Sequence, residues 1–209
     1  RAAADRLIQT LTNAPVNHVG VAVVLDDMPP LMWHAEMGRA LPDVWTGRHQ
    51  RGVQLHVLED AVRQWTGPYG QRAWFRQISP EVGPEQEDAL LATIARLDGV
   101  SFPSAGRVLG RWARGRWTAR GAGARPGGSG EGVGGDDDEA GGLGARLRTL
   151  VGRSRRRRSA PTAGMRMEAA YCAEVAGVTL EEMGVLLPAG DASWYDPGRF
   201  WSGDNLPLA

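Results

Sequence analysis

Cysteine is nearly absent from this chain and lysine is wholly absent: its 209 residues hold one cysteine, Cys172, and all 24 basic residues are arginine. A single thiol excludes a disulfide scaffold. The all-arginine usage, beside abundant alanine and glycine, reads as codon bias and not as function. An excess of either charge is also missing. The 24 acidic residues balance the 24 arginines, which argues against a protein whose whole body is an anion-binding surface. No stretch approaches the ~18 consecutive apolar residues of a membrane-spanning helix, so none is expected.

What remains is 42% hydrophobic, enough for a core in one domain of ordinary size. The sequence opens at Arg1 and enters a helical pattern at once, so a preceding segment is expected. No charged region followed by an apolar stretch marks a leader in the residues given. As it stands the chain favours the cytoplasm.

Composition divides the chain in three. Residues 1–113 and 164–209 are globular in character, and together they predict one domain. Residues 114–163 differ: the span from Gly115 to Gly152 holds 13 of the 29 glycines. An acidic cluster, Glu131 and Asp136 to Glu139, is followed by Arg153 and the run Arg155 to Arg158. With few large apolar side chains this stretch cannot offset its ordering entropy, which predicts a disordered insertion.

In the first globular part, Leu7, Ile8 and Leu11 predict a helix over Ala2 to Leu11, ended by Pro15. The valine-rich run His18 to Leu25 predicts a buried strand. A turn at Asp26 to Pro30 leads into a returning strand, Leu31 to Glu36, and Gly52 to Val57 suits a third. Glu59 to Trp65 reads as a short helix and Gln71 to Gln77 as a fourth strand. Glu85 to Leu97 is amphipathic, with Leu90, Leu91, Ile94 and Leu97 on one face. In the last part, Met167 to Met183 predicts a helix. Gly177 inside it costs roughly 1 kcal/mol relative to alanine. The aromatic tail from Trp194 to Trp201 is expected to pack on the domain as a loop. The fold class is therefore α+β, a small antiparallel sheet packed against helices.

Two residues could carry chemistry together. Cys172 falls at the start of the last substantial helix, where amide dipoles favour a thiolate; the alternative is a buried structural thiol. His18 opens the first strand, and alternation puts it on one face with Gly20, Ala22 and Val24. Those small neighbours leave room for another element close to the imidazole. A cysteine on a helix facing a histidine on a strand is the arrangement of a papain-type dyad.

The motifs around both residues resemble a family. Asn17-His18-Val19-Gly20 is similar to the S/N-H-V-G strand of circularly permuted NlpC/p60 papain-like hydrolases, the YiiX-like and lecithin retinol acyltransferase-like proteins. Tyr171-Cys172-Ala173-Glu174-Val175 resembles their F/Y-C-S-E-L helix start, and Glu182-Met183-Gly184-Val185-Leu186-Leu187 the M-G-L-L that follows. Asp98-Gly99-Val100-Ser101-Phe102 is similar to their G-x-x-Y turn, and Tyr195-Asp196-Pro197-Gly198-Arg199-Phe200 to the Y-x-P-x-D-F tail of actinobacterial members. The order, histidine first and cysteine last, is what permutation produces. The resemblance covers nearly all of the chain outside the insertion.

The resemblance implies a permuted papain-like fold and a cysteine hydrolase or acyltransferase that cleaves an amide or ester through an acyl-enzyme. Cys172 would be the nucleophile and His18 the base. The third position, commonly Glu before Ala in the family, is His34 before Ala35 here. His34 would orient His18, with Glu36, on the same strand face, as the substitute. The implied substrate is a small molecule, a peptide or a lipid-type acyl group, and no cofactor is implied. The chain departs from the pattern in three places. Ala173 replaces the usual serine, the upstream G-D-x-x-L strand is absent, and Val175 to Thr179 lacks the usual tyrosine. The altered residues at 34 and 173 and the missing first strand favour a rival reading, an inactive member acting as an interaction module. Glu174 matches the family glutamate but equally suits a carboxylate favoured by the helix dipole.

Other signals are weaker. Gly130 to Gly135 formally fits G-x-G-x-x-G, but no strand precedes it and the acids after it would repel a phosphate. Neither those acids nor His49 and His56, which look isolated and either structural or exposed, predict a metal site. The arginine run at 153–158 offers contact with an anionic surface, or it neutralises its own linker; nucleic acid is not expected. Trp33, Trp65 and Trp74 suit core positions, whereas Trp194 and Trp201 could wall a groove.

Overall fold

The computed structural model describes residues 15–101, 146, 171–188 and 191–202. The helix expected over Ala2 to Leu11 lies outside the described residues. So do the Gly130 to Gly135 motif and the arginine run, and with them the insertion apart from Arg146. The described chain is α+β. Strands β1 (Val21–Val23), β2 (Leu31–Glu36) and β3 (Gly52–Val57) form an antiparallel sheet in the order β1-β2-β3. Helices α1 (Leu58–Thr66), α2 (Pro84–Leu97), α3 (Cys172–Glu182) and α4 (Pro197–Ser202) accompany it, with a 3-10 turn at Ala192–Trp194 before α4. No helix among the described residues is long and apolar enough to cross a membrane.

The pairing register divides the sheet into two unlike faces. Trp33 sits opposite Val21 and Leu55, while His34 sits opposite Gln54 and Met32 opposite His56. Side chains alternate along a strand. One face therefore carries Leu31, Trp33 and Ala35 with Val53 and Leu55, and the other carries His34 and Glu36 with Gln54 and His56. The apolar face is the core. Trp33, Ala35, Val53 and Leu55 are fully buried there, joined by Leu90, Leu91, Ile94 and Leu97 of α2, the residues whose helical spacing predicted them.

Helix α3 covers this apolar face. Trp33 Nε1 donates to Thr179 Oγ1 at 3.0 Å, and Thr179 Oγ1 donates back to Val175 O at 2.6 Å. Arg96 near the end of α2 meets Glu182 at the end of α3 at 3.0 Å. The helix begins at Cys172, later than the Met167 expected, and its residues from Cys172 to Leu180 are buried. It runs unbroken through Gly177. A Cβ at Gly177 would fall inside the ring of Tyr195, which packs flat against the helix backbone. Tyr195 is itself fully buried and donates to Glu181 Oε1 at 2.6 Å, and Tyr171 donates to Tyr195 O. The aromatic tail thus docks onto α3, and part of it is helical instead of a loop.

Gln71 to Gln77 is not a strand. A fourth strand would need an open sheet edge, and loops occupy the outer edge of β3. Val44 N donates to Leu55 O at 2.7 Å, Val53 N donates to Val100 O at 2.8 Å, and Gly99 N donates to Val53 O at 2.9 Å. Buried Asp43 completes the seal: Oδ1 accepts from Leu55 N, and Oδ2 from the amide and hydroxyl of Thr46. Trp74, expected in the core, is accordingly exposed, with its ring against Trp201. Arg76 reaches the carbonyls of Phe200 and Trp201.

Two outcomes follow for stability. Gly177→Ala should destabilise the fold by about 1–2 kcal/mol in urea unfolding despite its better helix propensity, because overpacking against Tyr195 outweighs it. Asp98, which closes α2, has its carboxyl pushed up to about 8 by burial and by the nearby Asp43 charge, against a smaller opposing effect of the Gly99 amide. The folded state therefore holds a proton that the unfolded chain releases near pH 3.8. This contribution is fully present below pH 3.8 and is lost as pH rises through about 8. Asp98→Asn should remove that decline, seen as a flatter dependence of unfolding free energy on pH.

Candidate functional site

The polar face of the sheet holds a chain of three imidazoles. His18, just before β1, places Nε2 2.9 Å from His34 Nδ1, and His34 Nε2 lies 3.0 Å from His56 Nδ1. His34 is fully buried and His56 nearly so, at 3% exposure. Glu36 lies two residues beyond His34 on the same face. His18, His34 and Glu36 each offer a donor atom within 4.8 Å of the others.

Local sequence explains the grouping. Extending the β1–β2 register back from Val21 brings Gly20 opposite His34 and His18 opposite Glu36. A Cβ at Gly20 would press on Met32 Sδ and His34 Cβ, so the glycine leaves His34 its place in the sheet. Trp65, from α1, packs edge-on against both His18 and His34, with ring centroids 5.3 and 5.6 Å away. Its indole Nε1 donates to Glu36 Oε2 at 3.4 Å, a long bond, while Glu36 Oε1 accepts from Gly38 N at 2.9 Å.

Burial sets the protonation. Desolvation first, then the charges of His18 and His56, hold the His34 pKa well below 6.5. Desolvation also lowers His56, more than Asp43 and Glu36 raise it. Both rings are therefore neutral at pH 7, and the two hydrogen bonds can share protons in one of two directions. In one, His18 Nε2–H donates to His34 and His34 Nε2–H donates to His56, which leaves Nδ1 of His18 basic. In the other, every proton is reversed and His18 carries its hydrogen on Nδ1. At the far end, His56 Nε2 is buried with no hydrogen-bond partner among the described residues, as are both amide atoms of Gln54.

The residues singled out in the sequence are thus brought together in part. His18, His34 and Glu36 form one cluster. Cys172 does not join it. Its thiol is 5% exposed within the hydrophobic core and hydrogen-bonds to no described residue. It begins α3, which lies over the Trp33 face, whereas His34 points to the opposite face. Glu174 turns its Oε2 back to the amide of Tyr171 at 3.2 Å, a capping role at the helix start.

His56 was missed: it is not isolated but one hydrogen bond from His34, and the strict alternation of Gly52 to Val57 could have revealed it. That alternation puts Gln54 and His56 on one face against Val53 and Leu55 on the other. His49 is exposed, as expected, with Nδ1 3.0 Å from Arg39 O. Trp194 is covered by the Arg199 guanidinium, 3.7 Å above its ring, and Trp201 is exposed at the surface.

No family model matches this chain, and neither the curated proteins nor the solved structures contain a match to it.

The histidine pKa values carry a stability signature. A folded value below 6.5 means that the unfolded chain binds protons the folded chain refuses. Stability is then complete above pH 6.5 and is lost as pH falls below it. His34→Gln, which keeps hydrogen-bonding atoms but cannot titrate, should make the acid-side loss shallower in urea unfolding followed against pH. An unchanged slope would mean that His34 is not the buried neutral group described.

Proposed function

We propose that the chain is a thiol hydrolase or acyltransferase of permuted papain-like fold, acting on an amide or ester through an acyl-enzyme on Cys172. The observation that carries this reading is the 2.9 Å contact between His18 Nε2 and His34 Nδ1. It gives His18 the oriented imidazole that a thiol nucleophile requires. With Nε2 engaged, Nδ1 is the atom that takes the thiol proton. His34 is the orienting residue, and Glu36 holds the same face. Cys172 is the first residue of α3, where the first amides of the helix can stabilise a carbonyl oxyanion. On this route Sγ attacks the carbonyl carbon and His18 passes its proton to the leaving amine or alcohol. Water, or an acceptor hydroxyl or amine, then releases the acyl group. Such chemistry requires Cys172 Sγ to come within hydrogen-bond reach of His18 Nδ1.

A second reading, an inactive member that serves as an interaction module, has its own support. That support is the burial of Cys172 in the apolar core with Trp33, Leu55 and Ile94.

Alkylation by iodoacetamide decides between the two, since Cys172 is the sole thiol. Rates are measured against pH on folded protein treated with a chelator, for wild type, His18→Ala and His34→Ala. A hydrolase should show a reactive thiolate well below the ordinary value of about 8.5. That reactivity should be lost in His18→Ala and reduced in His34→Ala. A thiol that is unreactive, or that titrates alike in all three proteins, overturns the hydrolase reading.

A further inference from the structure

We propose that His18, His34 and Glu36 bind a divalent transition-metal ion of the Zn²⁺ class. Their donor atoms lie within 4.8 Å of one another, close to what one ion requires. Two imidazole nitrogens on a tetrahedral ion, each about 2.0–2.1 Å from it, stand roughly 3.4 Å apart. Here His18 Nε2 and His34 Nδ1 are 2.9 Å apart, so the rings need to open by only about half an ångström to admit a metal in place of the shared proton. Two imidazoles and a carboxylate select Zn²⁺, Co²⁺ or Fe²⁺ over Mg²⁺ and Ca²⁺, which prefer all-oxygen shells.

The surroundings are those of a supported ligand set. A metal-bound histidine is normally fixed through its other nitrogen. His34 has such a partner in His56, 3.0 Å from its Nε2. The Glu36 carboxylate is held by Gly38 N and Trp65 Nε1. Trp65 also walls both imidazoles. Three protein ligands leave a fourth position for water. The proposal does not rest on the thiol reading.

The test uses the full chain without an affinity tag, stripped of metal by a chelator that is then removed. Zn²⁺ is titrated by calorimetry and Co²⁺ by its visible ligand-field absorption. The expected result is one ion per chain, unchanged in Cys172→Ser, with Mg²⁺ giving no heat. His18→Ala and Glu36→Gln should each weaken Zn²⁺ binding by on the order of 100-fold or more, since losing even an outer-shell partner costs about 10–100-fold. Glu36→Gln preserves the shape of the side chain, and its metal-free circular dichroism shows whether the fold is intact. The proposal is overturned if wild type gives neither heat nor a Co²⁺ spectrum. It is overturned equally if both variants bind as wild type does, or if binding disappears in Cys172→Ser. The thiol reading stands or falls separately, because its alkylation profile is read with the metal removed.

Discussion

The bond from Trp33 Nε1 to Thr179 Oγ1 fixes which side of β2 the helix α3 occupies. Strand β2 is the middle strand and is paired on both sides, so it cannot twist free of that choice. Once Trp33 is committed to α3, alternation sends His34 to the other face. An indole buried without a partner for its N–H costs on the order of 1–3 kcal/mol, and Thr179 removes that cost. The apolar face then takes α2 and α3, while the polar face is left to the histidines under α1. Both the core and the candidate site descend from one residue's orientation.

The polar face is an expensive way to build a sheet. Two buried imidazoles, His34 and His56, must remain neutral, and Gln54 and His56 leave buried polar atoms with no hydrogen-bond partner among the described residues. Each such atom costs about 1–3 kcal/mol. Valine or leucine at these positions would pack without that cost, as Val53 and Leu55 do one residue away. Consistency between local pattern and stability is the rule, and sequences tend to break it where a site is held. His56 also has a part in the tautomer chain. With Nδ1 accepting from His34, it fixes the direction in which His34 accepts from His18, two rings away.

Much of this fold was legible because periodicity is a local property. Gly52 to Val57 alternates and Leu31 to Glu36 follows the Asp26 to Pro30 turn, and the strands have those bounds. The stripe of Leu90, Leu91, Ile94 and Leu97 gave α2. The run Gln71 to Gln77 has equal local character for a strand, yet strand formation also needs a free edge. Whether β3 offers one depends on Asp43 and Val100, which are remote in sequence from that run. His56 was misread for the same reason: a lone histidine gains its neighbours only through pairing with β2. Gly177 was read through helix propensity alone, whereas its neighbour is the Tyr195 ring, from a tail that the helix pattern does not describe. The contact of His18 with His34 follows from the register of two neighbouring strands read as a hairpin. The seat of Cys172 in the apolar core was not legible, since a helix start can face either side of a sheet.

The thiol and metal readings meet in one ring, and tautomer chemistry keeps them apart. A base for Cys172 needs a lone pair on His18 Nδ1, which requires the ring proton to sit on Nε2 and point at His34. A metal ion between His18 and His34 takes the Nε2 lone pair, and a neutral imidazole must then carry its hydrogen on Nδ1. The metal-loaded ring is therefore a donor on the side where the thiol would need an acceptor. The same replacement removes the hydrogen bond through which His34 orients His18. The two readings therefore exclude each other through the position of a single proton on His18.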